Sequence, residues 1–305
     1  MRLLLIPLFL FFVSSQIYGQ QQPFRSLFDA TGFLHNPAMT APGKYLEWGA
    51  IHQQQWLGFE DAPRTSQVYL QVPFPSNSMS VGAAVSLDEV GPLQTSEVNL
   101  SYSYHLNLDG QQQLSLGVAG RFFQQRFNST DFTGSSPTDP IYSLDFTPTI
   151  AYDFGFGIFY TTDKRMFGYY KSAFFSGLSI NSLLPKSSSS DLILKPALHA
   201  TALAGYRFSY DNGFLEPSIW VQYAQLGIIH ASANLVYEAE EQYWVGTSLE
   251  SDMTATFQSG FYLTDGLFRE GFLRVGVQGS FNFGQLSTLK GWGLEFLLGY
   301  RFYRD

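Results

Sequence analysis

The side chains with the widest range of chemistry in this sequence are five histidines: His35, His52, His105, His199 and His230. Histidine ligates zinc and acts as a general acid or base near neutral pH. The five are scattered along the chain, and no two have the close spacing that zinc sites use. Each is therefore interpreted as an ordinary strand or loop histidine, and the sequence predicts no metal site.

Two further patterns were candidates for catalysis or cofactor binding. The serine run at 187–190 lacks the Gly-x-Ser-x-Gly context that exposes a nucleophile at a sharp turn. Gly155 and Gly157 lack the third glycine and the following helix of a dinucleotide-binding loop. We therefore expect neither an enzyme nor a bound cofactor, and a role in binding, transport or structure is favoured.

The composition is typical of neither a soluble domain nor a helical membrane protein. Charged residues make up 14% of the chain, against roughly 25% in an ordinary soluble domain, while aromatics reach 17%. Mean hydropathy is near zero, and after the first residues no apolar stretch is long enough for a spanning helix. The net charge of −8 would repel a nucleic acid backbone, so no nucleic acid partner is expected.

The first residues have the order of a secretory signal peptide. Arg2 is followed by an apolar run from Leu3 to Val13 and then by Ser14 and Ser15, and Gly19 supplies a small residue where cleavage is expected. The run is much shorter than the roughly 20 residues of a spanning helix. The absence of cysteine argues against a lipid anchor and against disulfides. We expect a signal peptide at 1–19, a pre-barrel segment at 20–43 and a barrel at 44–305.

A period of two residues dominates the chain after residue 44. Val81, Ala83 and Val85, for example, alternate with the small residues Gly82 and Ala84. The alternating runs are longer than the five or six residues of typical strands in soluble sheets. They suit tilted strands that cross a bilayer with their apolar face toward lipid.

These features favour a barrel over a soluble sandwich. The expected fold class is all-β: a transmembrane antiparallel up-and-down β-barrel of about 14 strands. Long connections, near 57–64, 128–150, 184–196 and 284–291, fall at the end opposite the chain termini, whereas those near 163–170 and 264–271 at the other end are not especially short. Outer-membrane barrels have this asymmetry, with short periplasmic turns and longer extracellular loops, so an outer-membrane location is expected.

Charged residues also occur on the face of the strands that should point into the barrel, namely Arg121, Arg274, Glu295 and Arg301. An arginine on the lipid face would cost about 2–4 kcal/mol at the bilayer midplane, which favours an inward orientation. Two interpretations remain open. The charges could pair with one another inside a filled barrel, or they could line a channel.

Three blocks of sequence carry specific motifs. They comprise Asn36, Pro37 and Ala38; Gln55, Trp56, Gly58, Phe59, Ala62, Pro63 and Thr65; and Gly91 and Pro92. These blocks resemble the PorP/SprF family of the type IX secretion and gliding machinery. The second block, similar to the family's "QW-x-GF-x-x-AP-x-T" signature, is the most specific. It could fix the first hairpin or form a surface on which partners dock.

The resemblance implies an outer-membrane component of type IX secretion or gliding motility in Bacteroidota. Its expected partners are periplasmic ring proteins or lipoproteins, exported surface proteins with C-terminal secretion signals, and outer-membrane lipid. The alternative function is a passive channel or solute transporter. Residues 20–43 could plug the lumen or lie in the periplasm, and the sequence does not decide between these.

Overall fold

The structure is a computed structural model in which the chain forms one closed β-sheet. It describes residues 28–43, 45–127, 149–167, 171–183, 186–187, 198–224, 227–239, 242–264, 271–284 and 291–303. The expected signal peptide at 1–19 lies outside the described residues.

One short helix precedes the strands, α1 at Phe28–His35, and a 3-10 turn follows it at Pro37–Met39. The strands are β1 Tyr45–Gln54, β2 Arg64–Phe74, β3 Met79–Val90, β4 Leu93–Asn107, β5 Gln113–Phe127, β6 Thr149–Thr161, β7 Ala173–Asn181, β8 Lys186–Ser187, β9 His199–Tyr210, β10 Gly213–Ala224, β11 Ile228–Ala239, β12 Tyr243–Glu250, β13 Thr254–Leu263, β14 Gly271–Asn282 and β15 Trp292–Tyr303. β8 is only a two-residue pairing with β6.

The fourteen long strands form a closed antiparallel barrel, which confirms the predicted fold class. Each long strand pairs with the next in the chain, and β1 pairs with β15 from Tyr45–Tyr303 to Gln54–Leu294 to complete the ring. Closure leaves no unpaired edge among these strands. It satisfies the rule that backbone groups in lipid must find partners within the protein.

Alternation along each strand separates an apolar outer face from a smaller, more polar inner face. On β15, Leu294, Phe296 and Leu298 are exposed on the outside, whereas Glu295 and Leu297 are buried on the inside. Side chains on neighbouring residues of a strand point to opposite faces of the sheet. A period of two residues in the sequence therefore places alternate side chains inside and outside the barrel. Among the described residues, no helix is long and apolar enough to cross a membrane.

The two ends of the barrel differ. We call the end at which β1 begins and β15 finishes the terminal end, and the opposite end the far end. Terminal-end connections include the tight turn at 211–212, and the longest of them spans 162–172. Far-end connections include the segments 55–63, 128–148, 182–198 and 283–291. The predicted difference in loop length between the ends is therefore present, with the turn at 162–172 as its clearest exception.

We expect Leu298→Arg to destabilise the barrel in lipid vesicles by about 2–4 kcal/mol, because it places a charge in the middle of the apolar band on β15. The measurement is the free energy of unfolding in denaturant, followed by tryptophan fluorescence. The control is Tyr210→Arg, since Tyr210 is 59% exposed and lies at the terminal rim. That change should cost about 0–1 kcal/mol, and equal losses would contradict an outward Leu298 at membrane depth.

Candidate functional site

The Asn36-Pro37-Ala38 block lies against the inner wall of the barrel, in a recess formed by three glycines. Gly117, Gly157 and Gly177 lie on the adjacent strands β5, β6 and β7. A Cβ at Gly157 would lie 2.0 Å from Asn36 Oδ1, and one at Gly117 would lie 2.2 Å from Ala38 N. Only glycine lets the inserted chain come this close to the wall. We call these three positions the glycine recess.

Asn36 fixes the inserted chain in the recess through its side-chain amide. Its Nδ2 donates to the backbone carbonyls of Ile158, at 3.0 Å, and Leu178, at 3.4 Å. Its Oδ1 accepts from the Ala38 N–H at 3.0 Å and so begins the 3-10 turn. One fully buried asparagine therefore ties the turn to both β6 and β7.

Small polar side chains on the inner wall supply partners for the backbone of the inserted segment. The His35 carbonyl accepts from Ser179 Oγ at 2.6 Å and from Asn181 Nδ2 at 2.8 Å. The Ala38 carbonyl accepts from Ser103 Oγ at 3.2 Å, and the Thr40 carbonyl accepts from Ser80 Oγ. Buried backbone outside regular structure requires such partners, so these wall residues make the interior fit an inserted chain.

Apolar packing completes the attachment of residues 31–41, which we call the lumen segment. Phe33 belongs to a cluster with Ile51, Tyr69, Ala84, Trp244, Tyr262, Phe272 and Leu297. Ala38 belongs to a second cluster with Phe159, Met166, Ala173, Phe175, Leu203 and Trp220. Phe159 and Trp244 lie toward the terminal end of their strands, whereas Ile51 and Trp220 lie nearer the far end. The two clusters consequently form a packed core around the lumen segment.

Charged groups inside the barrel form ion pairs. Arg121 binds the Glu97 carboxylate through Nε, at 3.2 Å, and Nη2, and it also reaches Ser182 Oγ at 3.3 Å. On the opposite wall, Arg301 and Arg274 both face Glu47; the Arg274 Nη1–Glu47 Oε1 distance is 3.6 Å. Pairing offsets the large penalty of removing these charges from water.

Each of the four charges singled out by the sequence occupies an inward position, but they do not form one site. Arg121 lies on β5, whereas Arg274, Glu295 and Arg301 lie on β14 and β15. Arg274 and Glu295 are almost fully buried, and Arg274 stacks over the Trp244 ring at 4.8 Å. The glutamates that pair with these arginines are Glu47 and Glu97. In the sequence, only their position on alternating strands distinguishes them.

The block from Gln55 to Thr65 forms a compact loop at the far end. The Gln55 N–H donates to the Pro63 carbonyl at 2.9 Å, and the Leu57 N–H donates to the Trp292 carbonyl at 2.8 Å. Three residues adopt positive φ: Trp56 at 49°, Gly58 at 97° and Asp61 at 57°. This conformation is unfavourable for the two non-glycine residues and must be held by the surrounding contacts.

The second and third family blocks meet at this loop. Gly91 donates from its N–H to the Asp61 carbonyl at 3.3 Å, and Thr65 Oγ1 donates to Asp88 Oδ1 at 2.6 Å. Ala62 and Thr65 are buried, whereas Trp56 and Phe59 are 50% and 44% exposed. Pro92 completes the neighbouring turn between β3 and β4. The motif therefore fixes the first hairpin and also exposes two aromatic side chains to solvent.

At the terminal end, residues 162–167 of the connection between β6 and β7 are held by hydrogen bonds of charged side chains. Asp163 accepts hydrogen bonds from Arg165 Nε at 2.9 Å and Nη2 at 2.7 Å, and these bonds lower the pKa of the Asp163 carboxyl. Lys164 Nζ donates to Asn107 Oδ1 at 2.8 Å, and Arg207 Nη1 donates to the Met166 carbonyl at 2.7 Å. Residues 162–167 therefore form a structured surface.

The lumen segment lies inside the barrel and the far-end loop lies at its rim, although both carry family blocks. The wall residues that hold the segment have no distinguishing pattern in the sequence, because isolated serines and glycines on alternating strands resemble any barrel lining. A cluster of His230, Glu250 and Asp252 has no sequence signature either. The groups beside His230 are carboxylates from another strand and a turn, and not a second histidine.

A closed antiparallel barrel with an apolar outer face, a polar and charged inner face and a buried inserted segment is a membrane β-barrel of the kind found among outer-membrane transporters and secretion proteins. A family model described as "Type IX secretion system membrane protein PorP/SprF" matches residues 17–300. The chain belongs to this family, which confirms the resemblance seen in the sequence. Membership implies partners within the type IX secretion machinery.

Solved structures with the same fold have little sequence in common with this chain. The CymD monoaromatic hydrocarbon channel is 11% identical, with a TM-score of 0.53 and coverage of 90% of this chain and 93% of CymD. The toluene transporter TodX from P. putida is 9% identical, with a TM-score of 0.50 and coverage of 88% and 93%. At this identity the likeness shows the fold alone. No curated protein matches the chain.

We expect Gly157→Ala to release the lumen segment, because the added methyl group would overlap Asn36. The chain has no cysteine, so Thr40→Cys places a single thiol in the fully buried part of the segment. A soluble maleimide should label this thiol at least about tenfold faster when Gly157 is alanine. The control is Gly279→Ala, where a Cβ meets nothing within 4 Å. Slow, unchanged labelling in both variants would contradict the prediction that a side chain at Gly157 displaces the lumen segment.

Proposed function

We propose that this protein docks and anchors exported proteins with C-terminal secretion signals at the outer membrane, and that it also contacts periplasmic partners. The observation that carries the proposal is the occupied lumen. Residues 31–41 pack into both apolar clusters and bond to the inner wall of strands β2, β3, β4, β6 and β7. A barrel filled in this way suits presentation of surfaces better than conduction of solutes.

The far-end loop is the surface we assign to exported proteins. Exposed tryptophan and other aromatic residues on a rigid support are typical of protein interfaces, because they bury a large area with little loss of conformational freedom. Trp56 and Phe59 meet this description, since backbone hydrogen bonds to β15 and the β3–β4 turn hold their loop. Under this proposal the barrel is oriented in the outer membrane with its far end toward the cell exterior.

The terminal end would then face the periplasm, as in outer-membrane barrels with short inner turns. Its structured residues 162–167 expose Arg165 beside the segment that enters the lumen, since Gly43 approaches the Phe167 carbonyl. This position suits contact with periplasmic ring proteins or lipoproteins. Outward tyrosines and tryptophans near the terminal ends of the strands, such as Trp48 and Tyr300, suit the boundary between outer-membrane lipid and water.

We expect the double variant Trp56→Ala with Phe59→Ala to recover less exported protein when a tagged barrel is purified from gently solubilised outer membranes. Loss of two interface aromatics should reduce recovery by roughly tenfold or more, measured by quantitative mass spectrometry. Tyr210→Ala is the control, because it removes an exposed aromatic at the opposite end. Unchanged recovery in the double variant, or an equal loss in the control, would count against far-end docking.

The alternative function is a passive channel or solute transporter, which the polar lining of the far half of the lumen favours. The two functions differ in electrical behaviour. We expect the full barrel to give no steady conductance in planar bilayers, and deletion of residues 28–43 to produce steady openings, because the segment occupies the lumen. Folding of both proteins is checked by heat-modifiable migration in gels. Steady conductance of the intact barrel would favour the channel.

A further inference from the structure

His230, Glu250 and Asp252 come together on the inner rim of the far end. His230 Nε2 lies 3.3 Å from Glu250 Oε2, and one ligand atom from each of the three residues lies within 4.8 Å of the others. His230 and Glu250 are buried, while Asp252 is exposed. The group therefore has two donors set into the wall and a third that faces solvent.

The fold holds these side chains in place through the hairpins that carry them. His230 lies on β11, Glu250 ends β12, and Asp252 lies in the turn before β13. The Asp252 carboxylate accepts from the Thr254 N–H at 3.0 Å, and the Asp252 carbonyl accepts from Asn282 Nδ2 at 3.0 Å. The turn is thus attached to β14 as well, so the backbone positions of the three residues are fixed before any ligand arrives.

The charge of the group differs from that of three other carboxylates inside the barrel. Glu47, Glu97 and Glu216 each have an arginine partner. Within the part of the chain that the structure describes, neither Glu250 nor Asp252 forms an ion pair with lysine or arginine. With a neutral imidazole the group carries two negative charges, and a divalent cation would balance them.

We propose that His230, Glu250 and Asp252 bind a divalent first-row transition metal, with zinc as the best match. An imidazole nitrogen with carboxylate oxygens is a donor set for zinc, whereas calcium and magnesium prefer oxygen ligands alone. Rotation of the exposed Asp252 side chain would bring its oxygen to bonding distance. Three protein ligands leave a further coordination position toward solvent. The ion would tie β11 to the β12–β13 turn and stiffen the rim of the far end.

The test is isothermal titration calorimetry with zinc chloride on the full chain, folded in detergent after dialysis against a chelator. The purification tag must not contain histidine, because such a tag would itself bind zinc. We expect one zinc ion per chain with a dissociation constant of about 10 μM or tighter. Binding should weaken on acidification, since the ligands must lose their protons. Calcium chloride should give no comparable binding.

Two ligand variants and one matched control decide the result. His230→Gln and Glu250→Gln should each weaken zinc binding by at least about tenfold. The control is His105→Gln, because His105 and His230 are both 7% exposed and His105 contacts only the hydroxyls of Ser80 and Ser115. Heat-modifiable migration confirms that each variant folds. Less than half an ion per chain, unchanged binding in both ligand variants, or an equal loss in the control would overturn the proposal.

Discussion

Every backbone polar group at membrane depth must find a partner within the protein, and the rest of this structure depends on that constraint. The pairing of β1 with β15 meets it for the sheet. A barrel of fourteen strands then encloses a space that must be filled by water, side chains or another piece of chain. Part of this lumen is filled by side chains and by an inserted segment of the same chain.

The same constraint applies again inside the barrel, where the lumen segment has backbone groups outside regular structure. The partners for these backbone groups come from the wall residues Ser80, Ser103, Ser179 and Asn181, and Asn36 bonds the segment to the wall in turn. The glycine recess allows the close approach that these short bonds need. The family block Asn36–Ala38 is therefore explained by packing and hydrogen bonding within the barrel, which separates it from the exposed block at the far end.

The far end combines a loop held by hydrogen bonds with exposed aromatic side chains. Strained backbone at Trp56 and Asp61 is held by bonds to β15 and to the β3–β4 turn, so the loop can present Trp56 and Phe59 in a fixed orientation. The cluster at His230 lies on the inner rim of the same end. Docking of exported proteins and binding of a cation would thus use different surfaces, and each can fail without the other.

The sequence by itself determined the fold class, the number of strands and the family, because period two, export-like first residues and a specific motif are local patterns. It also indicated that Arg121, Arg274, Glu295 and Arg301 face inward, since their neighbours on each strand are apolar. Only the tertiary structure decided where Asn36 lies, which glutamates the arginines contact and that His230 meets two carboxylates. These contacts join side chains on different strands and segments, and the register that aligns them is not encoded in any short segment.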